Sequence, residues 1–244
     1  MGATEWITDV HTHIVPGVDD GARDLEEALE MLRCSLREGI GTVFATPHSS
    51  AFDWAPRRTR EAFAALKQAA AAAELPIRIF PGCEILICPE TVEDCLRKLR
   101  EGIYPAMGGS ARVLIEFDPW GTSREDAVFC VRRVLDAGWQ PIVAHVERYR
   151  FTTVEAARTL RELGALLQIN AYSIAQEREQ WIRDRVHGLL AGELADLMGT
   201  DSHRMDHRSP KAAAGVEAFV RQYGAEYARR VCVRNPEALL IRNI

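Results

Sequence analysis

Short apolar, β-branched runs alternate with amphipathic stretches along the whole 244-residue chain. The strand-like runs are Ile7–Val10, Thr42–Thr46, Ile77–Pro81, Val113–Phe117, Pro141–Ala144, Ala165–Ile169 and Leu197–Thr200. Each is short, with turn-like flanks, as buried parallel strands are. Between them, apolar residues three to four apart predict helices. Leu25–Glu38 places Leu25, Ala28, Leu29, Leu32 and Leu36 on one face, and Arg57–Ala73 is alanine-rich and so a strong helix former. Further helices are predicted over Val92–Leu99, Arg124–Ala137, Val154–Leu163, Trp181–Ala191, Lys211–Tyr223 and Tyr227–Val231. Strand–helix alternation of this kind predicts a parallel sheet with helices outside it. Seven strands in a chain of this length favour a closed or nearly closed α/β barrel over an open doubly wound sheet. Nothing reads as a linker, so residues 1–244 are expected to form a single domain.

The polar residues fall at the ends of these strands. His11 and His13 follow the first strand, with Asp20 in the loop beyond; His48 follows the second and Glu84 the third. Glu116 ends the fourth, His145 the fifth and Asn170 the sixth, and Asp201 and His203 follow the seventh. Catalytic groups of α/β barrels come from the C-terminal ends of several strands, and here nearly every strand ends in a possible metal ligand. Five of the seven histidines occupy such positions; His187, on a helix, and His207, in a polar loop, read as ordinary histidines. His11 and His13 stand two apart in an extended segment, so both imidazoles point to one side and can share an ion. Asp9 has the same parity and could either orient an imidazole or make a strand-end hydrogen bond. The donors are nitrogen and oxygen without thiolate, which suits zinc, manganese, iron or cobalt and disfavours calcium or an iron–sulfur cluster. Nine candidates exceed what one ion needs; two or three ions sharing a carboxylate would use them.

Composition narrows the class further. With 47% hydrophobic and 27% charged residues the chain is an ordinary globular protein, and a net charge of −5 argues against sequence-independent nucleic-acid binding. The basic run Arg57-Arg58-Thr59-Arg60 opens a helix and reads as a solvated face. None of the six cysteines forms a Cys-x-x-Cys pair, and none has the arginine six residues on that a cysteine phosphatase needs, so they read as buried thiols. Met1 to Thr8 lack the features of a signal peptide, and no apolar run is long enough to span a bilayer, which leads us to expect a cytoplasmic protein.

The ordered motifs then resemble a known family. Asp9-Val10-His11-Thr12-His13 followed by Pro16-Gly17-Val18-Asp19-Asp20-Gly21 looks like the opening signature of the polymerase-and-histidinol-phosphatase (PHP) superfamily. The segments Ala45-Thr46-Pro47-His48, Pro81-Gly82-Cys83-Glu84-Ile85, Leu114-Ile115-Glu116-Phe117, His145-Val146-Glu147-Arg148-Tyr149, Gln168-Ile169-Asn170 and Gly199-Thr200-Asp201-Ser202-His203 extend the match from about Asp9 to about Arg208. Within the superfamily, the chain resembles the bacterial PHP-type tyrosine-protein phosphatases of capsule and exopolysaccharide synthesis. The resemblance implies a distorted (β/α)₇ barrel of TIM-like type with a trinuclear centre, usually described with manganese. It implies a first ion on His11, His13, Glu84 and Asp201, a second on Glu84, Glu116 and His145, and a third on Asp20, His48 and His203.

Arg148 and Arg208 resemble the family's phosphate-contacting, catalytic arginines, with Arg204 as a further candidate; a planar guanidinium suits phosphate oxygens. A water held between two divalent ions would deprotonate near neutral pH and attack phosphorus. Phosphotyrosine would leave as a phenolate, whose conjugate acid has a pKa of about 10, so strong general-acid help is less necessary. The implied partner is a bacterial tyrosine autokinase.

Three alternatives compete: a histidinol-phosphate or other small-molecule phosphatase on the same barrel, an amidohydrolase, and a non-catalytic metal module. Glu116 and the Pro-Gly-Val-Asp-Asp-Gly loop favour the tyrosine phosphatase, and the loops after strands two and four would discriminate further. No lysine sits at a strand end for carbamylation, against the amidohydrolase. A purely structural site would be closed by four ligands, against the third.

Overall fold

The computed structural model describes residues 5–49 and 56–240. The ends of the expected domain, residues 1–4 and 241–244, and residues 50–55 of the discriminating loop after the second strand lie outside the described residues. Strands β1 (Ile7–Thr12), β2 (Ile40–Ala45) and β3 (Arg78–Pro81) pair in parallel, and β4 (Glu84–Leu86), β5 (Arg112–Glu116), β6 (Gln140–Val143), β7 (Leu166–Asn170) and β8 (Leu197–Gly199) form a second parallel set in that order. Backbone hydrogen bonds carry each set on to the other. Asp201 N donates to His11 O and His13 N to Ser202 O, both at 2.8 Å, while Glu84 N donates to Pro47 O at 3.1 Å and Ser49 N to Glu84 O at 2.8 Å. The third predicted strand, Ile77–Pro81, is β3; past a break at Gly82-Cys83 the same stave continues as β4, which the apolar pattern did not predict, and seven parallel staves follow one another round a distorted α/β barrel.

Helices α1 (Leu25–Arg37), α2 (Pro56–Ala72), α3 (Val92–Arg100), α4 (Arg124–Asp136) and α5 (Val154–Leu163) lie near the predicted positions. Their starts follow from capping: Asp24 accepts from Glu27 N, Thr153 from Ala156 N, and Ser123 and Asp126 form a capping box. Beyond them come α6 (Ala171–Ala175), α7 (Gln180–Ala191), α8 (Ala213–Tyr223), α9 (Ala225–Arg229) and α10 (Asn235–Ala238). The periodicity missed α6, a single turn that starts directly from β7 and is too short to show a face. The predicted helix Tyr227–Val231 is instead α9, a π-helical turn over Arg230–Arg234 and α10. No helix among the described residues is long and apolar enough to cross a membrane.

Apolar residues fill both sides of the staves. Met31, Leu32, Leu96, Val131 and Phe219 belong to the larger buried cluster, while Val10, Phe44, Leu114, Ile142 and Leu197 form a smaller one from the alternate strand positions. Strict alternation would send Val10 and His11 to opposite faces. Val10 nevertheless packs in the smaller cluster and His11 reaches Glu84 and Asp201. The β1–β2 register slips between Asp9 and Thr12, the local adjustment that permits both.

Candidate metal centre

The loop that follows β1 is folded by its own motif. Gly17 N donates to Ala22 O at 2.8 Å and Ala22 N to His13 O at 3.0 Å, so the chain doubles back against His13. A Cβ at Gly21 would stand 1.9 Å from His13 O, which makes glycine obligatory there. Asp19 occupies the centre of this loop: its carboxylate accepts from His13 Nδ1 at 2.8 Å, from His48 N at 2.9 Å and from Gly21 N at 3.0 Å. At the other end of the barrel sequence, a Cβ at Gly199 would meet His11 Cβ at 2.6 Å, so this glycine lets β8 approach β1 and brings Asp201 to the histidines.

All nine predicted ligands converge at the C-terminal ends of the staves. Glu84 Oε2 lies 3.1 Å from His11 Nε2, 3.2 Å from His13 Nε2 and 3.1 Å from His48 Nδ1. Asp201 Oδ1 lies 3.6 Å from His11 Nε2 and 3.5 Å from His13 Nε2. His48 Nδ1 stands 3.1 Å from Glu116 Oε1, and His145 Nε2 stands 2.9 Å from Glu84 Oε1 and 3.9 Å from Glu116 Oε2. Asp20 Oδ1 faces His48 Nε2 at 3.7 Å and His203 Nε2 at 3.5 Å. The donors fall into three groups that could each hold an ion: His11, His13, Glu84 and Asp201; His13, Asp20, His48 and His203; and His48, Glu84 and Glu116. The first has the expected membership. The second adds His13 to the expected set, and the third contains His48, with His145 reaching the other oxygen of the same Glu84.

These residues fit divalent ions. Four donors about 2.1 Å from a common centre stand about 3.4 Å apart, close to the separations in the first group. Glu84 Oε2 and His48 Nδ1, both turned into the cluster, are buried without a hydrogen-bond partner, a costly state unless something else engages them.

Charge in the cluster is strongly coupled. Burial opposes ionisation of Glu84 and Asp201, yet His11 holds both carboxyls well below their usual range, helped at Asp201 by Arg208. Burial would likewise depress His13, but Asp19 and the neighbouring carboxylates hold it well above an ordinary histidine. His48 is pushed up to about 10 against its burial by Glu116 and Glu84. His203 is pushed down to about 3 by burial, His13 and Arg208.

Asp201 divides its two oxygens. While Oδ1 faces the histidines, Oδ2 accepts from Arg148 Nη1 at 3.1 Å, from Asn170 Nδ2 at 3.2 Å and from Arg208 Nη2. Two of the three predicted arginines therefore stand at the lip of the cluster. Arg204 does not join them; its ion pair is with Asp206 at 3.7 Å. Three of the five non-glycine residues with positive φ among the described residues, His145, Asp201 and Arg208, lie here, the concentration of backbone strain expected at a functional site.

Asp9 bonds His11 N at 3.1 Å and Thr200 N at 2.8 Å, which is the strand-end alternative rather than an imidazole contact. The residues that orient imidazoles are Asp19 for His13 and Gln168 for His11, the latter through Oε1 at 3.1 Å from Nδ1. Gln168 also accepts from His145 N at 2.7 Å and donates to Asn170 Oδ1 at 2.9 Å. Both residues lay inside recognised motifs, but only their spatial neighbours reveal the role. Glu147, fully buried, accepts from Asn170 N and from the Ser173 hydroxyl, fixing the start of α6. His187 bonds Tyr223 on the helical exterior and His207 is exposed, as expected. All six cysteines are unpaired, and burial pushes Cys130 and Cys232 up to about 12, leaving them poor nucleophiles.

A parallel α/β barrel carrying a buried histidine–carboxylate cluster at the C-terminal ends of its strands is the class that fold and site define. Within that class, the chain belongs to the CpsB/CapC family of capsular polysaccharide synthesis, whose family model matches residues 7–241. It is 28% identical over 242 residues to the tyrosine-protein phosphatase CpsB of Streptococcus pneumoniae, covering 96% of this chain and 98% of that one. It is also 28% identical over 239 residues to the tyrosine-protein phosphatase YwqE of Bacillus subtilis, covering 96% of this chain and 91% of that one. A solved structure from work on YwqE and CpsB, described there as unique metal-dependent tyrosine phosphatases, superposes with a TM-score of 0.86 at 28% identity, covering 96% of this chain and 94% of that one.

Proposed function

We propose that this protein is a metal-dependent protein-tyrosine phosphatase, with residues 1–244 acting as one domain. The observation that carries the reading is the position of Glu84 Oε2, buried and within 3.2 Å of three imidazole nitrogens without a directed hydrogen bond to any of them. A carboxylate oxygen so placed suits a ligand shared between ions. The named activity of the CpsB and YwqE relatives, and their metal dependence, support the same chemistry.

In this reading His11, His13, Glu84 and Asp201 would hold one ion, Glu84, Glu116 and His145 a second, and Asp20, His48 and His203 a third. His13 would serve one ion through Nε2, because its Nδ1 is taken by Asp19. The nitrogen and oxygen donors suit manganese, which we favour, and would accept iron, zinc or cobalt. When bound, such ions supply an acidified water as nucleophile and neutralise charge on the phosphoryl oxygens. The chain's own part is positioning. Asp19 and Gln168 fix the rings of His13 and His11, so the donors face inward before any ion arrives. Arg148 and Arg208, both anchored on Asp201 Oδ2, keep further N–H groups for two phosphoryl oxygens, with Arg204, which pairs with Asp206, as a further candidate. The leaving phenolate needs little protonation.

The substrate would be a phosphotyrosine protein, and the partner a bacterial tyrosine autokinase governing polysaccharide assembly. We assign the reaction to the cytoplasm, a reducing compartment that suits six unpaired thiols.

The test is hydrolysis of a phosphotyrosine peptide by metal-stripped protein with and without added manganese, beside a histidinol-phosphate assay and a His13→Ala control. Manganese-dependent peptide hydrolysis lost in the variant supports the assignment. Turnover of histidinol phosphate alone would keep the metal centre and discard the protein substrate.

A further inference from the structure

The C-terminal face of the barrel also carries exposed aromatic surface that the chemistry at Asp201 does not use. Trp120, in the turn after β5, is 65% exposed, and its ring centroid lies 6.0 Å from that of Trp181 at the start of α7, with the planes at 59°. Trp120 is the most exposed large apolar side chain among the described residues, ahead of Trp6 at 52%. The pair walls a cavity of about 420 Å³ together with Pro119, Glu179, Ile182 and Arg148. Arg148 and Ile182 also line a second cavity, of about 540 Å³, that reaches Tyr172 and Arg208. The two hollows therefore share a wall at the guanidinium that contacts Asp201. A larger cavity of about 600 Å³, lined by Arg112 and Arg161, holds none of these groups.

The charge beside the indoles is specific. Arg150 lies over the Trp120 ring at 5.4 Å and Arg185 over the Trp181 ring at 4.6 Å. Arg185 donates to the backbone carbonyls of Tyr149 and Arg150. Neither arginine has a carboxylate within ion-pair distance among the described residues. The cavity wall itself carries Arg148, paired with Asp201, and one acid, Glu179, while Arg150 and Arg185 add two guanidinium groups without an acidic partner beside it. The cleft thus combines two inclined indoles with an excess of positive charge beside them, while the chain as a whole is acidic at −5.

We propose that the Trp120–Trp181 cleft is a docking subsite for the substrate chain flanking the phosphotyrosine, and that it takes an aromatic side chain with adjacent carboxylates. This rests on the phosphatase reading above and adds the substrate's local sequence to it. The aromatic residue lies against the indoles, its carboxylates meet Arg150 and Arg185, and the phosphotyrosine reaches Arg148 and Arg208 across the shared wall. A small aryl phosphate uses the second part alone.

The experiment compares manganese-loaded full-length protein on three substrates: p-nitrophenyl phosphate, a phosphotyrosine peptide with phenylalanine and glutamate on both sides, and the same peptide with alanine and lysine there. The wild-type protein is expected to favour the first peptide by about tenfold in kcat/KM. Trp120→Ala and Arg150→Glu should each remove most of that preference through KM, with kcat and p-nitrophenyl phosphate turnover within about twofold of wild type. Trp120→Phe should retain it, since an aromatic face remains. Equal use of both peptides by the wild type, or a preference untouched by both variants, overturns the subsite while leaving the phosphatase assignment intact. A parallel loss on p-nitrophenyl phosphate also overturns it, because the residues would then be supporting the fold. If the wild type hydrolyses none of the three, the phosphatase reading falls and the subsite with it.

Discussion

Asp19 accepts a hydrogen bond from His13 Nδ1 at 2.8 Å, and through it the β1 loop fixes which nitrogen His13 turns toward Glu84 and Asp201. The same carboxylate takes the backbone N–H of His48, so one residue orders two candidate ligands. Removing such an orienting carboxylate typically costs 10–100-fold in metal affinity. We expect Asp19→Ala to require about that much more manganese for half-maximal activity, while far-ultraviolet circular dichroism stays that of the wild type. Manganese titration followed by activity and by calorimetry checks both parts; unchanged affinity would remove Asp19 from the centre.

Arg148 and Arg208 converge on one oxygen of Asp201, which is buried while their own side chains are about one-third exposed. Each guanidinium is held in place by that carboxylate and open to solvent on its other edge. Replacing either by alanine should lower kcat/KM on an aryl phosphate by about 10²-fold, and lysine should recover only a small part, because an ammonium cannot reproduce the planar fork. Arg204→Ala should fall by less than about threefold, since Arg204 faces Asp206 rather than Asp201. Steady-state kinetics on the five variants decides between them.

Chelation should cost stability as well as activity. The cluster buries Glu84, Asp201, His11 and His13, with Glu84 Oε2 lacking a hydrogen-bond partner, so ions that bind only the folded chain add to its stability. At a free ion concentration of about 100 Kd the added stability is about 2.7 kcal/mol, which for a chain of this size corresponds to a shift of about 5–10 °C. Thermal unfolding with chelator and with graded manganese should show a midpoint that climbs with the logarithm of free metal. A midpoint indifferent to manganese would mean that the cluster does not bind it.

The staves were legible because parallel strands buried on both faces are written as short continuous apolar runs with turn-like flanks, as over Val113 to Ile115 and Ile142 to Val143. The candidate ligands were legible because barrel strands end in the reactive residues, and His145 or Glu116 is conspicuous after such a run. The broken stave at Gly82-Cys83 and the turn α6 escaped because each is too short to repeat a pattern. Asp19 and Gln168 escaped for a different reason. A carboxylate or amide within a motif offers the same chemistry whether it holds an ion or holds the ring that does, and only the distances to His13 and His11 separate the two. The register slip that lets Val10 and His11 both face inward is likewise a property of strand pairing, invisible in one strand alone.

Glu27 ties the arginine-bearing loop after β8 to α1. Its carboxylate accepts from Arg23 N and Nε, each at 2.9 Å, from Arg23 Nη2 at 2.8 Å, and from Met205 N at 3.3 Å, while Arg23 also pairs with Asp206 at 3.2 Å. Arg23 holds the Glu27 carboxyl below the usual glutamate range against the opposing effect of burial, and the Arg23 and Met205 N–H groups add to the shift. A carboxyl depressed in the folded state contributes stability above its unfolded pKa of about 4.3 and loses it as pH falls through the folded value. Glu27→Gln keeps the shape but loses the charge and presents N–H groups to donors. It should therefore be less stable than the wild type by about 1 kcal/mol at pH near 7, a modest figure because Arg23 is well exposed. The gap should be constant down to about pH 5 and close below about pH 4, where the wild-type carboxylate takes up its proton. Urea unfolding of both proteins across that range provides the measurement. A gap that does not narrow as pH falls below the unfolded pKa would show that the amide disturbs packing around Met205, and that the charge on Glu27 is not what holds the loop.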